Sequence, residues 1–142
     1  MVEKLSHKLL CVCIAIILSA CSIQSRKDQN EYRTIFSQKR FAQANAYLED
    51  SSLNKDKENR LLFLMEQGSL FYYQQKYQRA ARVFTEANEL VDKLYTKSVK
   101  EAIASSIINE NSKSYYGAIF ERSQLYQHQA LSFFQLAKAG FT

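Results

Sequence analysis

The sequence predicts an all-α fold of antiparallel helical hairpins, and three observations carry that expectation. The 142 residues contain no proline and only three glycines, at 68, 117 and 140, so the residues that punctuate strands and tight turns are scarce. Apolar positions recur three and four apart over most of the chain beyond residue 30. Short polar breaks separate these stripes, as they do between antiparallel neighbouring helices. Nine tyrosines and nine phenylalanines supply core volume in the absence of tryptophan.

The chain opens differently. Met1 to Lys8 is polar and carries Lys4, His7 and Lys8, Leu9 to Leu18 is an apolar run of ten residues, and the small residues Ser19 and Ala20 follow. This order of charge, apolar run and small residues is that of an export signal peptide, residues 1–20. Ten residues rise only about 15 Å as a helix, half of a hydrocarbon core, which argues against a permanent span. Cys11 and Cys13 fall inside this segment, so Cys21 is the sole cysteine of the 122 residues that follow it. No internal disulfide can form there, and stability must come from packing.

Leu18-Ser19-Ala20-Cys21 resembles the lipobox of bacterial lipoproteins. The resemblance implies that the Cys21 thiol accepts a diacylglycerol, that the chain is cleaved just before it, and that the new amine is acylated. Each buried methylene contributes about 0.8 kcal/mol, and two or three acyl chains hold a protein at a membrane where one does not. In the resembling Gram-negative lipoproteins an Asp after the cysteine retains the protein at the inner membrane. Ser22 stands here, so the resemblance implies the outer membrane, facing the periplasm. Residues 21–30 read as the lipidated N-terminus and a polar tether, and residues 31–142 as a single helical domain.

Asp28 and Glu31 have the spacing of a capping box that would start the first helix. Tyr32, Ile35 and Phe36 form its stripe, and Phe41, Ala44, Tyr47 and Leu48 form the next, shifted in phase across Ser37–Arg40. Glu49 to Lys57 reads as a charged connector. Leu61, Leu64, Met65, Gly68, Phe71 and Tyr72 then share one helical face. After Gln74-Gln75-Lys76 a second stripe runs through Tyr77, Ala80, Ala81, Phe84, Ala87, Val91 and Leu94, which predicts an antiparallel hairpin. Tyr95, Val99, Ile103 and Ile107 extend that stripe, although Ser98 with Glu101 could begin a new helix. Asn109 to Gly117 reads as a loop, and Phe120 to Lys138 as a last helix with Tyr126, Ala130, Leu131, Phe133 and Phe134 as its apolar residues. That helix is expected to fold back on the central hairpin as a cap, because an open solenoid end exposes its core; the alternative is that its apolar face stays open for another protein.

The hairpin from Leu61 to Asp92 resembles a tetratricopeptide repeat. Numbered from Leu61, Leu64, Gly68, Phe71, Tyr77, Ala80, Phe84 and Ala87 fall at positions 4, 8, 11, 17, 20, 24 and 27. Small residues at the helix crossing, with large ones filling the gaps beside them, are the physical content of that motif. Phe41, Ala44 and Leu48 echo Tyr77, Ala80 and Phe84 36 residues earlier, and Tyr126, Ala130 and Phe133 echo positions 4, 8 and 11 62 residues later. A second resemblance spans Leu64 to Gly140. It is to a family of poorly characterised bacterial envelope lipoproteins with helices of this type, carried by Asn109-Glu110-Asn111 and Tyr115 through Arg122. Glu110, Ser114 and Phe120 depart from that family's pattern. The family's greater length implies that this chain is an N-terminal portion or a shortened member.

The formal charge of +5 is spread through mixed-sign stretches, unlike the concentrated basic stripe of a nucleic-acid binder. Beyond residue 21 the only histidine is His128, and no thiol besides Cys21 is present, so Ser–His or Cys–His chemistry lacks its parts. No metal-ligand spacing and no glycine-rich phosphate loop occurs, and no cofactor or small-molecule substrate is expected. Glu121 is expected to favour a helix N-terminus and Arg122 to pair with a nearby carboxylate.

The expected function is therefore a non-enzymatic, lipid-anchored scaffold that holds an envelope protein or peptide in a helical groove. By the repeat resemblance that groove would be lined by Leu62, Met65, Ser69 and Tyr72, and by Gln124, Gln127, Leu131 and Phe134 of the last helix. A structural or pilot subunit of a secretion or pilus assembly is the alternative, and a cell-wall hydrolase is disfavoured by the missing nucleophile and base.

Overall fold

A computed structural model describes residues 24, 26–104 and 116–140. The signal segment, Cys21 and most of the Asn109–Gly117 loop lie outside the described residues. Among those described, every regular element is helical: α1 (26–37), α2 (Phe41–Asp50), α3 (Ser52–Lys55), a 3-10 turn (Lys57–Asn59), α4 (Arg60–Tyr73), α5 (Tyr77–Ala104) and α6 (Ile119–Gly140).

Helix α1 already contains residues 26–30, so the polar stretch is not the irregular tether its composition suggests, and Asp28 does not start the helix. Its carboxylate is 5% exposed and caps a different helix instead, accepting the Ser52 backbone N–H at 2.8 Å. The charged connector after residue 49 is likewise structured. It holds α3, whose Leu53 is fully buried. Polarity alone hid this, because one apolar residue per turn suffices to pin so short a helix.

The turns after α1 and α4 are copies of one another. Lys39 (φ 59°) and Gln75 (φ 60°) both adopt the left-handed conformation. In each turn the next N–H reaches back five residues, Arg40 to the Ile35 carbonyl at 3.4 Å and Lys76 to the Phe71 carbonyl at 2.9 Å. The left-handed residue itself donates to Phe36 and Tyr72, both at 2.9 Å. This is the helix-ending pattern that usually takes glycine. Its recurrence at 36 residues matches the recurrence of buried residues, Ala44 and Leu48 in α2 and Ala80 and Phe84 in α5.

Helices α4 and α5 form the central antiparallel hairpin. At their crossing a Cβ on Gly68 would come within 2.5 Å of the Phe84 ring, so only hydrogen fits there. The sequence placed Gly68 at this crossing, and Phe84 is the residue it meets. Helix α5 is one continuous helix of 28 residues, about 42 Å long. Ser98 sits buried within it, not at a start. The distal turns of α5 are open, with Val99 and Ile103 40% and 81% exposed.

Helix α6 folds back on α5, but through another face, so the apolar stripe expected to make the cap stays open. Leu125 and Ser132 are its buried residues, whereas Tyr126 (49%), Leu131 (37%), Phe133 (52%) and Phe134 (63%) are exposed. The α5–α6 contact reproduces the contact of α4 with α2. Gln67 of α4 donates to Glu49 of α2 at 2.8 Å. Gln129, 62 residues on, donates to Thr85 of α5, 36 residues on from Glu49, at 2.9 Å. Phe63 and Leu70, one turn either side of Gln67, are buried, and their counterparts are Leu125 and Ser132. The chain thus stacks α6 on α5 as it stacks α4 on α2.

Candidate functional site

The open face of α4 lies between α1 and α6, which both run parallel to it. On the α1 side the buried Tyr32 hydroxyl donates to the Glu66 carbonyl at 3.0 Å. Arg33 and Gln29 reach the Glu66 carboxylate at 3.3 and 3.4 Å, and Phe36 meets Tyr73 edge to face at 5.3 Å. On the α6 side the Tyr72 and His128 rings lie 5.9 Å apart, and Gly117 sits beside Leu61. The last contact fixes the direction of α6, whose start lies by the start of α4.

Within this frame Leu62, Met65 and Tyr72 are half-buried, packed on the core with one side open. Ser69 is also half-buried and its hydroxyl donates to the Met65 carbonyl at 2.9 Å. The four α4 residues expected to line a groove thus lie on one partly open face of that helix, with Ser69 its polar member. The α6 half is more open: Gln124, Gln127, Leu131 and Phe134 are exposed, and His128 is the residue that joins α6 to that face.

His128, read from the sequence as a plain surface or groove residue, is half-buried beside Tyr72, whereas Phe36 and Tyr73 were not assigned to this face. Together with Tyr72 they form an aromatic run across α1, α4 and α6, with Tyr77 at 5.5 Å from Tyr72. Tyr73 is 55% exposed, the largest apolar surface along this run. Adjacent aromatics after Leu70 were the available signal, since neighbours on a helix point about 100° apart and both cannot be core. His128 is held by its Nδ1, 2.8 Å from the Gln124 carbonyl, and lies between Tyr72 and Phe84.

A second cluster surrounds Asp28 in an open pocket lined by Gln24, Tyr47, Ser51, Ser52 and Lys55. Burial, the largest influence, pushes the Asp28 carboxyl up. Hydrogen bonds from Ser52, Gln24 and Tyr47 outweigh it and hold the pKa below the ordinary carboxylate range. Tyr47 is pushed up to about 12 by burial and by the facing Asp28 and Glu31. Burial and Glu66 likewise raise Tyr32. Both Asp28 oxygens accept hydrogen bonds, Oδ1 from Gln24 at 2.6 Å and Oδ2 from Ser52, so the carboxylate ties α1 to α3.

At the start of α6 the Glu121 carboxylate accepts the Ala118 N–H at 2.8 Å, the expected N-terminal role. The Arg122 guanidinium lies 5.3 Å over the Tyr116 ring. No group of three His, Cys, Asp or Glu side chains among the described residues could hold a metal ion, and no described helix is long and apolar enough to cross a membrane. Comparison of the chain with protein-family models, with curated proteins and with solved structures found no match.

Proposed function

We propose that this chain is a lipid-anchored scaffold of the bacterial cell envelope that binds an extended or helical protein segment on the open face of α4. Anchorage rests on the Leu18-Ser19-Ala20-Cys21 sequence behind its apolar run, with Cys21 as the acylated residue and the outer membrane, facing the periplasm, as its site. The helical stack is read as tetratricopeptide-like. Two turns of one geometry 36 residues apart and two helix stacks related by 36 and 62 residues support that reading.

The observation that carries the binding role is the strip Leu62, Met65, Ser69, Tyr72 with Tyr73 beside it. A half-buried apolar floor with an exposed tyrosine suits recognition, because tyrosine offers large contact area and a hydroxyl at low entropic cost. One observation favours a second reading, a structural subunit of an envelope assembly: the exposed aromatic face of α6 is the kind of surface a permanent interface covers.

Metabolic labelling with a fatty acid tests the anchor. The wild-type chain is expected to take up label in the membrane fraction, and Cys21→Ala to lose both label and cleavage. Label retained on Cys21→Ala would remove the anchor from the proposal.

A further inference from the structure

The outward face of α6 repeats a surface that the chain buries elsewhere. At the 62-residue correspondence, Tyr126, Ala130 and Phe133 occupy the places of Leu64, Gly68 and Phe71 in α4. In α4 these residues close against α5, whereas in α6 Tyr126 and Phe133 are half exposed and Ala130 is open. Phe120 (66%) and Phe134 (63%) widen the same side. From Ser123 to Ala137 the helix carries no Asp, Glu, Lys or Arg.

We propose that this face is the interface of a homodimer, in which two copies pack α6 against α6 antiparallel about a two-fold axis near Ala130. Charge selects this occupant. Between Ser123 and Ala137 the face has no ionised group to offer a charged partner, and pairing that stretch with itself sets no like charges together. A two-fold contact requires a self-complementary patch, and the pattern supplies one. The small Ala130 lets two helices approach, and Tyr126 and Phe133 on either side of it fill the gaps beside the partner's Ala130.

Area agrees. At about 200 Å² for a whole aromatic side chain, Phe120, Tyr126, Phe133 and Phe134 expose about 450 Å² per copy. Complete burial of these side chains, with Ile119 and Leu131 added, would bring two copies to the roughly 1,000 Å² expected of a specific interface. The contact would also extend the existing stack, since it closes on α6 the face that α5 closes on α4.

Native mass spectrometry of the full-length chain released from detergent tests this over a concentration series. The wild type is expected to give a dimer that grows with concentration. Ala130→Arg and Phe133→Asp are each expected to weaken it by roughly tenfold or more. Ala130 faces solvent in the single copy, so at dilute concentration the unfolding midpoint of Ala130→Arg should match the wild type, and it is the variant that separates association from folding. A wild-type chain that stays monomeric throughout overturns the proposal and assigns the face to a different protein. A dimer that survives both substitutions also overturns it, because association then lies elsewhere, as in the apolar N-terminal segment.

Discussion

Gly68→Ala is the smallest change that reaches the centre of the fold. The added methyl carbon would stand 2.5, 2.7 and 2.8 Å from three carbons of the Phe84 ring, well inside van der Waals contact. Phe84 is 1% exposed and His128 lies 5.8 Å from it, so the ring has little room to retreat. Overpacking of this kind costs about 1–3 kcal/mol. Alanine is the better helix former by about 1 kcal/mol, which offsets part of that cost. The expected net effect is destabilisation of about 0–2 kcal/mol, larger for Gly68→Leu. Because the sign alone is a weak test, the decisive experiment is a double-mutant cycle with Phe84→Leu, read by urea unfolding and far-UV circular dichroism. With the ring gone, Gly68→Ala should become neutral or stabilising, a coupling of about 1 kcal/mol or more. Equal effects of Gly68→Ala in both backgrounds would refute the crossing as described.

Two further perturbations address the joints of the stack. Gln75→Gly should stabilise by up to about 1 kcal/mol, since glycine adopts the left-handed turn without the Cβ penalty; an unchanged or lower urea midpoint would count against that turn. Asp28→Asn should destabilise by about 1–2 kcal/mol at neutral pH by weakening the cap on Ser52. The Asp28 pKa is depressed in the folded state, so its contribution is present above the unfolded value of about 3.9 and lost as pH falls through the folded one. Stability measured from pH 6 downward should therefore fall less in the variant than in the wild type, and parallel curves would exclude this linkage.

Much of the helical architecture could be read from spacing because the central hairpin obeys a simple rule, with small residues at the crossing and large ones around it. Gly68, Ala80, Phe84 and Ala87 all occupy the positions their sizes suggest. The face of α6 could not be read this way. Its apolar weight lies on Tyr126, Phe133 and Phe134, yet the buried side is held by Leu125, Ser132 and the amide of Gln129. A serine whose hydroxyl returns to its own helix, here to the His128 carbonyl at 2.7 Å, buries as easily as alanine, and hydropathy does not register it. The turns were legible in place but not in kind, because Lys39 and Gln75 hold a conformation that glycine usually marks. Asp28 misled for a related reason. A capping residue looks the same in sequence whether it serves its own helix or one that begins 24 residues later. That Leu62, Met65, Ser69 and Tyr72 share one face of α4 needs only the phase of one helix, whereas Phe36 and His128 meet Tyr73 and Tyr72 through tertiary contacts that no local pattern records.

The binding role of the α4 strip is tested most directly by cross-linking in intact membranes with the full-length lipidated chain, comparing wild type with Ser69→Arg and Ala130→Arg. Ser69→Arg puts a long charged side chain on the half-buried α4 face, and Ala130→Arg alters the outward face of α6. A partner is expected to cross-link to the wild type and to Ala130→Arg but not to Ser69→Arg, with the helical content of all three alike. The same partner recovered in equal yield from Ser69→Arg would contradict a groove on α4.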